Sequence, residues 1–246
     1  MARSAEDKPR DLRTAAALLW GEPIRAPKPG LTIDGITAAA VSRADLDGLE
    51  AVSMNKVAAA FGVSGMALYR HIPGKTALVE LMVEAVLAVE PELPEPETGW
   101  RTRLQAWARQ LLEVYRAHPW LLTATAMRQQ LLGPHQLRWM DTALAVLEST
   151  GLQAAERHQI FLLIAGHVRN LAQQYADFDA DHAREWQQLT GELLGVHAQR
   201  FPALVKTFAE PTGDIDPLTF GLDRIFDGVQ TLIDGTDGND DVSHPA

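Results

Sequence analysis

The sequence predicts an all-α protein. Apolar residues recur at intervals of three and four through most of the 246 residues, which is the spacing of one face of an α-helix. Glycine and proline mark the ends of several of these segments, as at Gly62, Pro73 and Gly133-Pro134. No segment shows the apolar–polar alternation that is typical of a strand. We therefore expect a three-helix N-terminal head with a helix-turn-helix, followed by a larger helical C-terminal domain.

Composition and charge limit what this protein can do. Hydrophobic residues make up 46% of the chain, enough for a buried core, and there is no cysteine for a disulfide or a thiolate metal site. No apolar run reaches the roughly 18 residues of a membrane span, and the N-terminus lacks a secretory signal. We expect no membrane partner and a cytoplasmic location.

The net charge of −10 is unevenly distributed. Residues 1–75 carry ten Lys and Arg against eight Asp and Glu, whereas residues 76–246 carry twelve against twenty-four. Because an acidic surface repels phosphate, any contact with nucleic acid must be made by the N-terminal part.

Residues 1–30 form an N-terminal extension. Leu12 to Trp20 predicts a short helix, for which packing against the protein is favoured over membrane contact. Gly21 to Gly30 contains three prolines and cannot form a regular helix. Arg25 and Lys28 lie in this segment, which is either a solvated linker or a basic arm that reaches a DNA minor groove.

Residues 31–90 form the predicted head. Its first helix runs from Thr32, the N-cap, to Leu49, and Ser53 caps the next helix. The stretch from Met54 to Pro73 then predicts a helix-turn-helix. Gly62 ends the first helix, Val63 is an apolar plug in the turn, and Ser64 caps a second helix from Gly65 to His71. The alternative for this stretch is a packed helical hairpin. A helix over 76–89 completes the head.

The acidic, proline-rich segment from Glu90 to Gly99 predicts an extended linker, after which residues 98–234 form the second domain. Helices are predicted over 100–117, 119–132, 135–149, 154–178, 181–196 and 217–233, with Asp216 capping the last. Residues 197–212 are expected to be less regular, and the polar tail 235–246 to be disordered.

The second domain contains no motif that predicts catalysis. There is no phosphate-binding loop, nucleophile elbow or metalloprotease motif, and the eight histidines show no metal-ligand spacing. We expect no enzyme activity, no cofactor and no metal. Large aromatic side chains and amides instead favour a ligand pocket, although core packing is the alternative for each aromatic residue. The candidate ligand-binding residues are Trp107, Met127, Trp139, Phe161, His167, Asn170 and Gln174.

Two apolar stripes predict a subunit interface. One includes Ile164 and Val168, and the other includes Leu222, Phe226 and Val229. Helices this apolar either pack inside the chain or form half of a four-helix seam between two chains.

The run from Ile33 to Leu81, and above all VAAAFGVSGMALYRHIPGKTALVELM, resembles the tetracycline-repressor (TetR) family. The matching positions are Ser53, Gly62-Val63-Ser64, Leu68-Tyr69-Arg70-His71 and Lys75. Trp100, His118-Pro119-Trp120-Leu121 and Gly133-Pro134 are similar to the branch whose C-terminal domain is like that of tetracycline repressor. The resemblance implies an all-helical homodimer that represses transcription at a palindromic operator and releases the DNA when a small molecule enters the C-terminal domain.

The resemblance also implies a set of residues that contact DNA. Tyr69 and Lys75 suit phosphate, and Arg70 suits either a guanine or a phosphate. Gly65, Met66 and Ala67 allow only apolar contacts with thymine methyl groups or a close approach of the backbone to DNA. The full set is Asn55, Gly65, Met66, Ala67, Tyr69, Arg70, His71 and Lys75.

The expected effector is bulky and largely apolar or aromatic, and the acidic body makes a neutral or cationic molecule more favourable than an anion unless Arg128, Arg138 or Arg169 lies in the site. We expect its effect to reach the head through packing between the helix at 76–89 and the segment at 119–132. The rival interpretation is a helical enzyme or ligand carrier whose helix-turn-helix is only structural.

Overall fold

The computed structural model describes residues 12–21, 31–126, 130–176, 180–210, 213 and 215–240. Helices account for all the regular secondary structure in these ranges, which confirms the predicted all-α class. The helices are α1 (Leu12–Leu19), α2 (Ile33–Asp47), α3 (Met54–Ala59), α4 (Gly65–Leu68), α5 (Lys75–Val86), α6 (Gly99–Ala117), α7 (Leu121–Ala124), α8 (Pro134–Glu148), α9 (Ala154–Ala176), α10 (Ala180–Val196), α11 (Pro202–Ala209) and α12 (Pro217–Asp240).

Three predicted N-caps are confirmed. The Thr32 hydroxyl accepts a hydrogen bond from the Gly35 N–H at 3.0 Å, and the Ser53 hydroxyl accepts one from the Lys56 N–H at 3.3 Å. The Asp216 carboxylate accepts the N–H groups of Leu218 and Thr219 at 3.2 and 3.3 Å. Each cap satisfies a backbone donor that has no partner within its own helix, which fixes where the helix begins.

The head is built around α5, against which α1 and α2 pack. Ala15, Leu18 and Leu19 of α1 are buried, so this helix packs on the protein, as expected. Helix α5 is buried over most of its length, from Ala77 to Glu84. It therefore forms the base on which the rest of the head stands.

The body packs α6, α8, α9 and α12 against one another. Its buried side chains continue without a break into those of the head, so one apolar core runs through the described parts of the chain. The segment from Glu90 to Gly99 contains a short 3₁₀ turn, Pro96–Thr98, directly before α6.

The apolar stripes predicted for a subunit interface lie inside this core. Ile164, Val168, Leu222, Phe226 and Val229 are all at most 3% exposed in the single chain. The Phe226 ring meets the Trp100 ring edge to face, with centroids 5.2 Å apart. These side chains stabilise the chain itself, because α9 and α12 turn them towards α6. An interface on the same two helices must therefore use their exposed faces.

Several predicted boundaries differ from the structure. Among the described residues of the segment at 119–132, helix is confined to the four residues of α7. The segment at 197–212 contains α11, and α12 extends to Asp240 into the predicted polar tail. The second helix of the helix-turn-helix ends at Leu68 and continues as turns. The end of α12 contains weak helix formers, Gly and Asp, which is why the sequence alone places the end of this helix earlier.

Candidate nucleic-acid interface and effector cavity

The turn between α3 and α4 has the geometry that the sequence predicts, except for the roles of Val63 and Ser64. Ser64 stands at the N-cap position of α4, but its side chain makes no capping hydrogen bond. Gly62 has φ 65°, the left-handed conformation that ends a helix. The Val63 N–H donates to the Ala58 carbonyl at 3.2 Å, but the Val63 side chain is 38% exposed. Val63 thus closes the turn through its backbone and is not an apolar plug. Leu68 and Ala58 are fully buried, which fixes α4 against α3.

The face of α4 that points away from the core is rich in groups that suit DNA. Met66 is 70% and Tyr69 44% exposed, and Arg70 is exposed beside them. Ala67, His71 and Lys75 are half-buried. A tyrosine hydroxyl and a guanidinium held outward on a rigid helical pair can reach phosphate oxygens and base edges.

Gly65 has a different role from the rest of the predicted set. It is buried, and a methyl group at this position would collide with the side-chain oxygen of Asn55. Asn55 itself is exposed on α3. Gly65 therefore serves to let the Asn55 amide lie across the start of α4, and its own atoms are withdrawn from the surface.

Lys56 is a residue of this surface that the sequence analysis missed. It is exposed on α3 next to Asn55, while its backbone N–H is used by the Ser53 cap. The signal was available, because a basic residue near the start of the first helix of such a motif lies on the same side as the start of the second. Arg25 and Lys28, the residues of the predicted arm, lie outside the described residues.

A cavity of about 640 Å³ lies between α9 and the start of α12. His167, Leu171 and Gln174 of α9 form one wall, and Pro217, Phe220 and Gly221 form the other, with Gly213 and Ile215 between them. Any side chain at Gly221 would collide with the His167 ring, so this glycine allows His167 to lie directly on α12. The His167 Nε2 atom is 3.4 Å from the Leu218 carbonyl oxygen.

The structure brings two of the predicted ligand residues, His167 and Gln174, to this cavity. Asn170 is exposed on α9, and Met127 is outside the described residues. Leu171, Ile215 and Phe220 were missed, because nothing in the sequence indicates that the segment before α12 meets α9.

The three aromatic candidates instead form a cluster in the core. The Trp107 ring lies 6.1 Å from the Trp139 ring and 5.9 Å from the Phe161 ring, measured between centroids. The Trp107 indole N–H donates to the Trp139 carbonyl at 2.9 Å. The Trp139 indole N–H lies 3.1 Å from the carbonyls of both Leu87 and Val89. These contacts explain the two tryptophans as packing and anchoring residues.

Asp216, which caps α12, lies in the chain between the lining residues Ile215 and Pro217. A hydrogen bond from the Thr219 hydroxyl, at 2.5 Å, is the main cause that lowers the pKa of this carboxyl. Burial acts in the opposite direction and is outweighed. Arg169 donates to the Leu122 carbonyl and to the Thr125 hydroxyl, so its guanidinium is engaged by α7 and its surroundings.

Metal-ligand clusters and membrane-spanning helices are both absent from the described residues. These residues contain no group of His, Asp and Glu side chains arranged to hold a metal ion. None of the helices among them has the length and apolarity needed to cross a membrane.

Family models of known proteins match both the N-terminal and the C-terminal part of the chain. Residues 36–82 match the family model described as bacterial regulatory proteins, tetR family, and residues 93–233 match the tetracyclin repressor-like C-terminal domain. The HTH-type transcriptional repressor DrrR1 of Streptomyces coeruleorubidus is 36% identical over 238 residues, which cover 91% of this chain and 87% of that protein.

Solved structures agree with this assignment. Apo ActR from Streptomyces coelicolor has a TM-score of 0.71 and 28% identity, covering 85% of this chain and 100% of ActR. ActR in complex with actinorhodin has a TM-score of 0.70 and 29% identity, covering 82% of this chain and 97% of ActR. The C-terminal model alone spans more than half of the sequence. The chain therefore belongs to the TetR family of bacterial transcriptional regulators.

Proposed function

We propose that this protein is a repressor that binds a palindromic operator as a homodimer and leaves it when a small molecule enters the cavity between α9 and α12. The observation that carries the proposal is the outward display of Tyr69 and Arg70, beside Asn55 and Lys56, on a helix-turn-helix whose own packing needs none of them. The relationship to the repressor DrrR1 supports the same function.

The proposed contacts with DNA are of two kinds, contacts with phosphates and contacts with bases. Tyr69, Lys75 and Lys56 bind phosphates and set the position of the head on the duplex. Arg70 reads a guanine edge or holds a further phosphate, and Met66 contacts thymine methyl groups. Few direct base readers remain, so DNA shape contributes to the choice of operator.

The domains follow from these roles. Residues 31–90 form the DNA-binding head and residues 98–234 the effector-binding and dimerisation domain. Residues 1–30 form an extension and 235–246 a tail. Because α1 packs on α5, the helical part of the extension belongs physically to the head.

The effector is a neutral, largely apolar and aromatic molecule. The cavity volume of about 640 Å³ lies within the usual range for sites of drug-sized molecules. Leu171, Ile215 and Phe220 give it an apolar wall, and His167 and Gln174 supply the polar contacts that orient a ligand. ActR, which is similar to this chain, has been solved in complex with actinorhodin, which supports a ligand site in this fold.

The homodimer forms through the exposed faces of α9 and α12. Leu162 and Leu163 of α9 are 46% and 58% exposed, and Leu232 of α12 is 47% exposed. A second copy that brings the same two helices against these faces buries them in a four-helix seam.

A titration tests the proposal. Fluorescence anisotropy is recorded with labelled DNA from the region upstream of the protein's own gene, at several salt concentrations, with and without actinorhodin. We expect salt-sensitive binding, weakened by actinorhodin, and an equal weakening of actinorhodin binding by DNA, because linkage is reciprocal. Ligand binding without DNA binding would instead favour the enzyme or carrier interpretation. Actinorhodin binding that leaves the DNA affinity unchanged would contradict the effector mechanism.

A further inference from the structure

Helix α5, the base of the head, carries two buried carboxylates that point into the body. Glu80 is 2% and Glu84 6% exposed. A buried carboxylate is costly unless hydrogen-bond donors surround it. Both accept hydrogen bonds from backbone N–H groups of the body, which lie just before α8 or in its first turn.

Glu84 caps α8 from outside that helix. One of its oxygens accepts the His135 N–H at 2.8 Å, and the other accepts the Gln136 N–H at 3.0 Å. These donors lie in the first turn of α8, where backbone N–H groups lack partners and the helix dipole attracts negative charge. The N-cap position is Gly133, which has no side chain to do this. A side chain at Gly133 would collide with the Glu84 carboxylate, so the space left by this glycine is filled by Glu84.

Two further contacts hold the same pair of helices. Glu80 accepts the Leu131 N–H at 2.7 Å, just before α8. Trp139, one turn into α8, donates its indole N–H to the carbonyls at the end of α5. The start of α8 is therefore hydrogen-bonded to the second half of α5 and to the residues just after it. It cannot shift without either moving α5 or breaking buried hydrogen bonds.

The other side of α8 packs on α9, the helix that carries His167, Leu171 and Gln174 at the cavity. The chain of contacts thus runs from the cavity through α9 and α8 to α5, and from α5 through α2 to α3 of the helix-turn-helix. The route expected from sequence, through the segment at 119–132, also has its contacts, because α7 packs on both α5 and α9 and Leu131 bonds to Glu80. The start of α8 is a second point of attachment.

We propose that Glu84 is a positioning residue that couples the head to the body, so that binding of DNA by the head alters the stability of the first turn of α8. The inference rests on the proposed DNA binding. Glu84 touches neither DNA nor cavity and acts only through the helix that it caps.

Hydrogen–deuterium exchange on the full chain tests this coupling. The probe is the same upstream DNA fragment, and the readout is the DNA-dependent change in exchange at residues 131–140. Glu84→Gln removes one of the two acceptor oxygens with little change in size. In the wild type we expect DNA to slow exchange there by about fivefold or more, the low end of usual coupling between sites. In Glu84→Gln the change should be lost, while DNA still slows exchange at residues 54–71.

Glu90→Gln is the matched control. Glu90 also meets α8, but through an exposed pair with Arg138 at 3.7 Å, and exposed pairs contribute little. It should behave as the wild type. Gly133→Ala is the second variant, because it keeps the carboxylate but displaces it, and it decides the question if Glu84→Gln fails to fold. A merely structural role would raise exchange equally with and without DNA.

Two outcomes would overturn the role of Glu84 and leave the proposed function intact. One is a wild-type protein that binds DNA without any change in exchange at residues 131–140. The other is a DNA-dependent change in exchange there that persists in both Glu84→Gln and Gly133→Ala. If the wild type shows no anisotropy change and no protection at 54–71, the proposed function fails, and this inference fails with it.

Discussion

In the proposed complex, single residues between the end of α4 and the start of α5 set how the head meets DNA. Arg70 is exposed and Lys75 half-buried. Arg70→Ala should weaken operator binding by about 1–3 kcal/mol if the guanidinium reads a base, and Lys75→Ala should lower the slope of log affinity against log salt by about one. Anisotropy across a salt series measures both effects. Arg138→Ala, which removes an exposed arginine from α8, is the control. Unchanged affinity in both head variants would remove this surface from the interface.

Gly65 and Asn55 should act as one unit. Asn55→Ala removes the amide, whereas Gly65→Ala inserts a methyl group where the amide lies and displaces it. Each change should weaken operator binding, and the double variant should be little weaker than either alone, with an interaction energy of about 0.5–3 kcal/mol. Gly74→Ala is the control, because a methyl group there meets open space. Additive losses would show that Gly65 affects DNA binding independently of Asn55.

At the scale of the element, the cap of α12 links stability to pH. The pKa of Asp216 is lowered in the folded chain, chiefly by the Thr219 hydroxyl. The ionised cap therefore stabilises the fold above the ordinary Asp pKa of about 4, and this contribution is lost as pH falls through the lowered folded-state value. Asp216→Ala should cost about 1 kcal/mol at neutral pH and less in acid. Urea unfolding of Asp216→Ala, with Asp223→Ala as the control, measures the free energy of unfolding across this pH range. A loss of stability in Asp216→Ala that does not change with pH would contradict the prediction.

Helices and caps are the elements that the sequence predicts well. Thr32, Ser53 and Asp216 are each recognisable because capping depends on a local side chain and its near neighbours. The cap of α8 escapes such reasoning, since Glu84 lies about 50 residues from the amides that it binds. Trp107 and Trp139 escape it for a related reason. Composition shows that large aromatic groups are present, but only packing shows whether they face a cavity or one another.

At the scale of the whole molecule, periodicity identifies an apolar face but not what covers it. Phe226 and Val168 satisfy the pattern of an interface helix equally well whether the neighbour is another helix of the same chain or a second chain. The structure resolves this by burying them against α6. It also leaves other apolar side chains outside, including Trp186, Leu189 and Leu193 on α10 and Phe208 on α11. Exposed apolar area on this scale is typical of a surface that binds a partner.

The exposed face of α9 therefore gives the sharper test of the dimer. Leu163→Glu places a charge where the second copy packs, yet costs the single chain little because Leu163 is 58% exposed. We expect folded monomers with reduced operator affinity, since a monomer engages only one half-site. Phe226→Glu, the variant that the sequence alone suggests, should instead unfold the chain, because removal of a core phenylalanine already costs about 3–5 kcal/mol.

Analytical ultracentrifugation at micromolar concentration, with thermal unfolding of the same samples, distinguishes these effects. Leu46→Glu on α2, where the leucine is 84% exposed, is the matched control and should remain dimeric. A wild-type monomer, or a Leu163→Glu dimer, would contradict an interface on the outer face of α9. A folded Phe226→Glu monomer would show instead that the residues buried in the single chain also stand at the contact between chains.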